Sequence, residues 1–450
     1  MKPTLTILAT LLLAPHLLAD KPNIVIILTD DLRADCIGPL NPRIHTPSID
    51  RLAKRGVLFN NAYIMGGNSP AVCTPSRTML MSGRTLFRLP TDIKAPGNKP
   101  SVPVMSTVFR EAGYDTFYCG KHGNTYHPAD RSFDNTVFIN RRACPDQVAE
   151  HRSYTTKIVA YLADPARAKK PFFIFYAPSV PHDPVCPEPE DVALYAGDKC
   201  PPLPPNAAVD HAAIAGFNLR DTNVRTYDVP ALGKFKTPLQ LDQWRDVLSH
   251  YYAYVTSFDR QVGRILDELD RTGAAKNTIV VFTSDNGHSH SDQGLIHKES
   301  VYEQDVRVPL IVRGPGVPAD KRSDALVYLS DLFPTLCQQI GVPVPSTVQT
   351  KSFLPALTDP GKPHRPSLYH AYRDEMRAFR DAQYKIILFE NHHVRLFDLN
   401  ADPFERRDLS KDPAQADRVA RMTTQARQAG KTLGDDPASS VFWKKLDGKK

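Results

Sequence analysis

Two acidic motifs of this sequence follow apolar runs, and both contain the residue types of a metal site. The first run ends in Asp30 and Asp31, and a later run ends in Asp285 and Asn286. Adjacent carboxylates behind a buried strand are costly unless a cation neutralises them, and parallel strands can end at one edge of a sheet. Carboxylate and amide oxygens suit Ca²⁺ or Mg²⁺ rather than zinc. The spacing therefore favours a metal site over the ordinary alternative, a helix N-cap followed by a surface acid.

A cysteine motif lies between the two acidic motifs along the chain. Cys73 begins the sequence Cys-Thr-Pro-Ser-Arg, in which Pro75 is typical of an early helical position and Arg77 adds a cation. We therefore predict that Cys73 lies near a helix N-terminus, where backbone amides and the helix dipole favour an anion and lower the pKa of a thiol. The alternative is a buried structural cysteine.

The order of these motifs resembles that of the type I sulfatases, which have the alkaline-phosphatase-like fold. In that family a Cys-x-Pro-x-Arg motif follows an Asp-Asp strand and precedes an Asp-Asn-Gly strand. The resemblance extends over residues 21–409, and within the family the sequence is most similar to the iduronate sulfatase and polysaccharide sulfatase branch. Six further segments are similar to the family: 45–53, Gly120-Lys121, 181–184, 298–303, 307–310 and 396–403.

The resemblance implies two cofactors. Family members oxidise the cysteine of this motif to Cα-formylglycine, so Cys73 is the predicted modification site, and a formylglycine-generating or sulfatase-maturing enzyme is a predicted partner. Ca²⁺ would be bound by Asp30, Asp31, Asp285, Asn286 and the modified residue 73. The aldehyde would hydrate, and one hydroxyl would attack the sulfur of a sulfate ester in line with the leaving oxygen.

The resemblance also implies catalytic roles for basic residues. Arg77 would hold the hydrated aldehyde and Lys121 the sulfate, which spreads negative charge in the transition state. Lys298 would bind sulfate oxygens beside His182, and His182 would protonate the leaving alcohol. Lys121, His182 and Lys298 are therefore predicted to bind substrate as well as to take part in catalysis.

The sequence departs from the family at one motif, so two histidines are candidates for the residue that accepts the last proton. The family has Lys-x-His, whereas this chain has His122 directly after Lys121 and a second histidine, His127, in a Tyr-His-Pro sequence. Some sulfatases carry an aromatic-His-Pro sequence at this place, which favours His127. Either imidazole would take the proton that expels sulfate and regenerates the aldehyde.

The motifs are compatible with three activities. The leading prediction is removal of sulfate from a sulfated carbohydrate of the polysaccharide or glycosaminoglycan type. A phosphodiesterase or phosphonate monoester hydrolase is the second, because relatives with the same aldehyde attack phosphorus. The third is a catalytically inactive glycan-binding homologue whose Cys73 is never modified.

Strand and helix patterns alternate along the chain. Apolar runs typical of strands buried on both faces occur at 23–29, 116–119, 172–176, 279–282 and 309–312. Helical patterns occur at 47–55, 104–112, 148–162 and 239–269, and short antiparallel strands are predicted within 367–389, before a helix at 413–430. This alternation predicts a doubly wound α/β domain with its site at the carboxyl ends of the strands. The resemblance implies an alkaline-phosphatase-like sandwich: a large mixed, mostly parallel sheet flanked by helices, and a smaller C-terminal α+β subdomain with an antiparallel sheet.

The chain is predicted to have three parts. Residues 1–19 are typical of a signal peptide, since Lys2 precedes an apolar run that ends at Ala19; a membrane anchor is the weaker alternative. Residues 20–341 form the predicted N-terminal sulfatase catalytic domain and residues 342–450 the C-terminal subdomain. We therefore expect an exported protein, periplasmic or secreted. No later segment is long and apolar enough for stable membrane insertion.

Charge and cysteine content bear on the binding partners and the disulfides of the protein. The 450 residues include 56 Lys plus Arg and 49 Asp plus Glu, a formal charge of +7 without a long run of like charge, which argues against a nucleic-acid partner. The seven cysteines are an odd number, and modification of Cys73 leaves six. Cys186 and Cys200 bracket a proline-rich loop, and we predict a disulfide between them.

Overall fold

A nine-stranded sheet lies at the centre of the protein. The computed structural model describes residues 21–139, 146–166, 170–207, 226–236 and 241–448, so the predicted signal peptide lies outside the described residues. The strands are β1 (Asn23–Thr29), β2 (Val57–Tyr63), β3 (Gly66–Gly67), β4 (Asp115–Lys121), β5 (Asn135–Ile139), β6 (Phe172–Ala177), β7 (Thr226–Val229), β8 (Gly233–Lys236), β9 (Thr278–Ser284), β10 (Ser289–His290), β11 (Ile296–His297), β12 (Arg307–Arg313), β13 (Lys321–Ser323), β14 (Val327–Tyr328), β15 (Leu368–Tyr372), β16 (Met376–Arg380), β17 (Tyr384–Phe389) and β18 (Val394–Asp398).

The large sheet is mixed and mostly parallel, as predicted. Its order is β13-β2-β12-β9-β1-β6-β4-β5, with β14 also paired to β2. The five strands from β9 to β5 are parallel, whereas β12 is antiparallel to both of its neighbours. Ile24, Ile26 and Leu28 of β1 pack into one apolar cluster, and Val25 and Ile27 pack into the other. The run without alternation is therefore buried on both faces.

Helices cover both faces of this sheet. The α-helices of the described residues are α1 (Pro47–Lys54), α2 (Cys73–Ser82), α3 (Met105–Glu111), α4 (His127–Asp130), α5 (Asp146–Ala163), α6 (Pro189–Val192), α7 (Leu241–Arg271), α8 (Glu303–Val306), α9 (Leu332–Gln339), α10 (Leu354–Thr358), α11 (Ala416–Leu433) and α12 (Val441–Leu446). Residues of α1, α5 and α7 pack into one apolar cluster and residues of α2, α3 and α9 into the other. Apolar residues of α7 recur at steps of three and four from Leu248 to Leu269, and these side chains are buried.

A smaller sheet follows near the C-terminus. Its strands β15 to β18 are antiparallel, which confirms the predicted antiparallel subdomain sheet, and β3 joins its edge parallel to β15. The sequence patterns missed β2, because Asn60 and Asn61 interrupt its apolar run, and they missed β5 and β18 as well. A division of the chain at residue 341 stays a prediction.

The disulfide predicted across the proline-rich loop does not form between the expected cysteines. Cys186 is disulfide-bonded, but Cys200 has a free, buried thiol, so the predicted Cys186–Cys200 bridge is wrong. Cys200 packs in the apolar core, and its sulfur lies 3.9 Å from the Arg245 carbonyl oxygen of α7, so core packing rather than a bridge explains its burial. Within the described residues, we find no helix with both the length and the apolar character needed to cross a membrane.

Candidate active site

The two acidic motifs meet at the carboxyl edge of the large sheet. β1 and β9 are parallel neighbours whose last residues are paired in register. Asp30, Asp31 and Asp285 directly follow these strand ends. One oxygen from each of the three carboxylates and the Cys73 sulfur lie within 4.8 Å of one another, and all four residues are buried. We call this group the acidic cluster.

Two backbone features direct the ligand atoms toward each other. Asp31 has a φ of 67°, and its amide donates to Asp285 Oδ1 at 3.3 Å. A left-handed conformation costs free energy for a residue with a side chain and persists where the surroundings impose it. Gly287 follows Asn286, and a Cβ at Gly287 would lie 2.0 Å from the Gln304 carbonyl oxygen. Glycine is therefore required for the chain to leave β9 in this direction.

Cys73 is the first residue of α2, so the predicted helix N-terminus is confirmed. Its sulfur lies 3.2 Å from Asp30 Oδ1 and 2.8 Å from Lys298 Nζ, with Lys121 Nζ at 3.8 Å. Every residue of α2 is buried. The thiol is therefore enclosed between carboxylates and ammonium groups at the centre of the site.

The predicted lowering of the thiol pKa is wrong. Burial, together with the Asp285 and Asp30 carboxylates, raises the pKa of Cys73 well above its usual value. The helix N-terminus favours an anion, but loss of water and two neighbouring negative charges oppose a thiolate more strongly. The unmodified thiol is therefore neutral and is not an activated nucleophile.

Three cations balance the three carboxylates. The ion pairs are Arg77 with Asp285 at 2.7 Å, Lys121 with Asp30, and Lys298 with Asp31 at 2.5 Å. The charges of this group sum to zero, since three positive groups face three negative ones. Among the described residues, Arg77 Nη1 is buried and has no hydrogen-bond partner, so the guanidinium keeps a donor for a further acceptor.

The donor set fits a hard divalent cation. Burial and the neighbouring Asp30 carboxylate raise the pKa of Asp285, which is the expected effect of crowding like charges without a further cation. Asn286 Nδ2 donates to Asp31 Oδ1 at 2.6 Å, whereas Asn286 Oδ1 is buried and accepts no hydrogen bond from the described residues. Three carboxylates and one amide oxygen left without a donor are ligands that Ca²⁺ prefers.

His182 lies at the rim of the acidic cluster. Its Nε2 is 3.8 Å from Asp31 Oδ2, and its Nδ1 is 2.9 Å from Asp183 Oδ1. The Asp183 carbonyl oxygen lies 2.8 Å from the same Nδ1, so these two oxygens fix the orientation of the ring. The side chain is 23% exposed, so the imidazole can reach both the cluster and a molecule that enters from solvent.

The two candidate histidines after Lys121 lie together. The rings of His122 and His127 are stacked with their centroids 5.0 Å apart, and neither ring hydrogen-bonds to Cys73 within the part of the chain that the structure describes. Burial and the Lys94 charge lower the pKa of His127 to about 4, so this ring is neutral near pH 7 and can accept a proton. Arg131 Nη2 lies 3.1 Å from His122 Nε2 and engages that nitrogen as an acceptor.

Lys94 is a candidate functional residue that the sequence motifs did not indicate. Burial lowers the pKa of Lys94, and the charges of Asp130, Lys121 and Cys73 also act on it. The Lys94 charge also contributes, after burial, to the lowered pKa of His122 and of His127. Lys94 belongs to an irregular segment without a motif, so only the fold reveals its position. Ser76, which donates to the Asp285 carbonyl oxygen at 2.5 Å, was also missed, because it occupies a variable position of the Cys-x-Pro-x-Arg motif.

Buried ions connect the segment after Lys298 to the C-terminal sheet. Lys385 of β17 is fully buried and lies 3.0 Å from both Glu303 and Glu405. Glu303 begins α8, and its amide donates to Glu405 Oε2 at 2.7 Å. Loss of one partner from such a network leaves a buried charge uncompensated, which costs roughly 3–5 kcal/mol. The C-terminal sheet therefore helps to position Lys298.

Comparison with known proteins agrees with this geometry. The family model described as Sulfatase matches residues 22–342, most of the chain. The chain belongs to the sulfatase family. A second model, described as N-sulphoglucosamine sulphohydrolase, C-terminal, matches residues 291–432 of this sulfatase. The predicted family and enzyme class are thereby confirmed.

Relatives of the sulfatase cover most of its length. A Delta 4,5-hexuronate-2-O-sulfatase from Bacteroides thetaiotaomicron is 28% identical over 441 residues, which cover 88% of this chain and 85% of the relative. Iduronate 2-sulfatase from Homo sapiens is 28% identical over 411 residues, covering 76% and 73% of the two chains.

Solved structures share the fold. A 2-O GAG sulfatase superposes with a TM-score of 0.72 at 26% identity, covering 93% of this chain and 94% of its own. Phosphonate monoester hydrolase from Agrobacterium radiobacter gives a TM-score of 0.77 at 19% identity, with coverage of 92% and 96%. At that identity the second likeness shows the fold alone.

Proposed function

We propose that this sulfatase removes sulfate from a sulfated carbohydrate, using Ca²⁺ and a formylglycine derived from Cys73. The position of the Cys73 sulfur, 3.2 Å from an Asp30 oxygen and 2.8 Å from Lys298 Nζ, carries the proposal. A neutral buried thiol could not serve as the nucleophile itself, which supports its conversion to an aldehyde. The names of relatives, a hexuronate 2-O-sulfatase and an N-acetylglucosamine-6-O-sulfatase, support the substrate class.

The acidic cluster and Asn286 would hold the cation through hard oxygen atoms. The hydrated formylglycine supplies an oxygen nucleophile, and bound Ca²⁺ supplies positive charge beside it. Because the ionised side chains sum to zero, a divalent cation gives the site a net charge of +2. That charge complements the two negative charges of the sulfate that is released.

Two lysines of the site would bind the sulfate group, and an arginine would act on residue 73. Lys298 and Lys121 both approach the Cys73 sulfur, at 2.8 and 3.8 Å, so a group bound beside residue 73 lies within reach of both ammonium groups. Arg77 would orient residue 73 and accept part of the developing charge through its unpaired Nη1 donor. Preorganised donors of this kind stabilise the transition state because they need little reorganisation.

Proton transfers are assigned to imidazoles. His182 would protonate the leaving sugar oxygen, since Asp183 orients the ring and Nε2 lies 3.8 Å from Asp31 Oδ2 of the cluster. His127 or His122 would accept the second proton before sulfate leaves. The Arg131 contact, which occupies one ring nitrogen of His122, supports His127 for this role.

We further propose that the sulfatase is exported to the periplasm or the medium, with residues 1–19 as its signal peptide. The maturing enzyme must oxidise Cys73 before folding is complete, because Cys73 and all other residues of α2 are buried in the folded chain. A formylglycine-generating or sulfatase-maturing enzyme is therefore a partner of the unfolded chain rather than of the native protein.

Mass spectrometry of the peptide that contains Cys73 tests the nucleophile. In protein purified from its native host we expect the aldehyde in place of the thiol, and we expect Cys73→Ala to release no sulfate while it keeps the wild-type melting temperature within a few degrees. Cys337→Ala is the matched control, because Cys337 is also a buried thiol but lies on α9, outside the cluster. Full activity of a protein that retains the thiol would contradict the proposal.

The phosphonate or phosphodiester alternative has a direct test. The matured protein should hydrolyse 4-nitrophenyl sulfate with a higher kcat/KM than phenyl phosphonate and phosphodiester analogues. Faster turnover of a phosphorus ester would favour the alternative, and a matured protein that binds glycans without hydrolysing any ester would favour the inactive homologue.

A further inference from the structure

A cavity of about 670 Å³ lies between the C-terminal part of the chain and two N-terminal segments, Asn68 before Cys73 and residues 86–93 after α2. Its walls include Asn68, Phe87 and Ile93 from the N-terminal part, and Arg373, Asp374 and Val441 from the C-terminal part. The roles proposed above for the acidic cluster do not use these residues. The volume is of the size that accommodates a sugar ring or a small ligand.

One wall of the cavity leads directly to the catalytic cysteine. β3 and β15 are parallel, and the Arg373 amide donates to the Gly67 carbonyl oxygen at 2.8 Å. The chain runs from β3 through Asn68 to Cys73 in the acidic cluster. The turn between β15 and β16 therefore lies beside the segment that leads to Cys73. Arg373 has a φ of 43°, an unfavourable conformation for arginine that holds this turn against the Gly67 segment.

The opposite wall leads to the same centre. The Ile93 carbonyl oxygen accepts a hydrogen bond from the His127 amide at 3.0 Å. His127 stacks on His122, so this wall reaches the pair of histidines that follows Lys121. The cavity therefore adjoins the two segments that carry Cys73 and His127.

The chemistry of the walls matches a saccharide rather than an ion. Phe87 and Val441 offer apolar surface, whereas Asn68, Asp374 and Arg373 offer both hydrogen-bond donors and acceptors. A pyranose ring has the same combination, with apolar C–H faces and hydroxyl groups around its edge. Charges of both signs line the cavity, so a bare anion would find no consistent attraction.

The floor of the cavity is rigid. Arg377 is fully buried, donates to Asp435 at 2.6 Å and has its guanidinium 4.5 Å from the centre of the Phe442 ring. The indole nitrogen of Trp443 donates to the same carboxylate at 3.1 Å. A preformed wall loses little conformational freedom when it binds a ligand.

We propose that this cavity binds a second saccharide residue of the substrate, linked to the residue that carries the reacting sulfate. The inference rests on the proposed function and extends it, since it makes an oligosaccharide rather than a sulfated monosaccharide the preferred substrate. The hydroxyl groups of the second residue donate to Asp374 and accept from Asn68 and Arg373, while its C–H face lies against Phe87 and Val441.

The test compares kcat/KM for sulfated tetrasaccharides with kcat/KM for 4-nitrophenyl sulfate, which is too small to reach the cavity. The probes are tetrasaccharides of heparin, chondroitin sulfate and ulvan, and the one desulfated fastest is used with the variants. Asp374→Ala removes an acceptor, and Val441→Trp fills the cavity from an exposed position. We expect each variant to lower the ratio of the two kcat/KM values about tenfold. Asp417→Ala, at an exposed position of α11, is the matched control and should leave the ratio unchanged.

The outcomes separate the inference from the proposed function. An unchanged ratio in both Asp374→Ala and Val441→Trp would overturn the inference and leave the sulfatase activity untouched. A wild-type protein that hydrolyses 4-nitrophenyl sulfate and none of the tetrasaccharides would also overturn it. If the matured wild-type protein releases sulfate from no probe, the proposed function itself is wrong. The melting temperatures of the two variants show whether a lowered kcat/KM is caused by unfolding. If one variant is unfolded, the ratio measured for the other variant tests the inference.

Discussion

Replacing Asp285 with asparagine is expected to lower kcat/KM for sulfate release by about a thousandfold or more. The amide keeps the shape of the carboxylate but removes one of the three negative charges that face the proposed cation. It also deprives Arg77 of its partner at 2.7 Å, so the guanidinium that orients residue 73 loses its anchor. The Ca²⁺ content of the purified protein and the affinity measured by titration calorimetry should both fall. Saturating Ca²⁺ should then restore only part of the rate.

Asp292→Asn is the matched control for this prediction. Asp292 is equally buried, lies on the same stretch of chain and is ion-paired with Arg33, but it is not a member of the acidic cluster. We expect this variant to lose stability and to keep wild-type Ca²⁺ content. If Asp285→Asn bound Ca²⁺ with wild-type affinity and kept its rate, the metal role of the acidic cluster would be wrong.

The acidic cluster could be predicted from sequence because each of its parts has a local signal. A β-branched run without alternation marks a central parallel strand, and the residues that follow it must lie at the carboxyl edge. Asp30 and Asp285 therefore come together once both runs are placed in one sheet. The proline of the cysteine motif similarly indicated that Cys73 begins a helix, which α2 confirms.

The features that sequence analysis missed or misjudged depend on tertiary surroundings. The helix N-terminus at Cys73 favours a thiolate, but it is buried beside two carboxylates. Burial and these carboxylates raise the pKa of the thiol more than the helix N-terminus lowers it. Cys200 lies close to Cys186 in sequence but packs in the core, so proximity along the chain gave the wrong disulfide. The charges of Lys121 and Cys73 act on Lys94 only because the chain folds back, and no spacing in the sequence encodes that arrangement.

Loss of the His182 imidazole is expected to depend on the leaving group. His182→Ala should slow the release of sulfate from a sugar alcohol by about 10²–10⁴-fold, because an alkoxide is a poor leaving group without a proton donor. Hydrolysis of 4-nitrophenyl sulfate should slow far less, since nitrophenolate leaves without being protonated. Asp183→Asn should give the same pattern with a smaller effect, because it weakens the Asp183 Oδ1 contact of Nδ1 at 2.9 Å but leaves the Asp183 carbonyl oxygen at 2.8 Å. Steady-state kinetics on the two substrates measure both effects.

Variants of the two histidines after Lys121 serve as the comparison for His182→Ala, because their effects should not depend on the leaving group. Expulsion of sulfate is common to all substrates, so replacing the residue that accepts the second proton must slow the sugar and aryl sulfates to a similar extent. His127→Ala is expected to behave in this way, while His122→Ala should have the smaller effect because Arg131 already engages that ring at 3.1 Å. If His182→Ala slowed both substrates equally, His182 would bind sulfate rather than donate a proton. A dependence on the leaving group in His127→Ala would exchange the two roles.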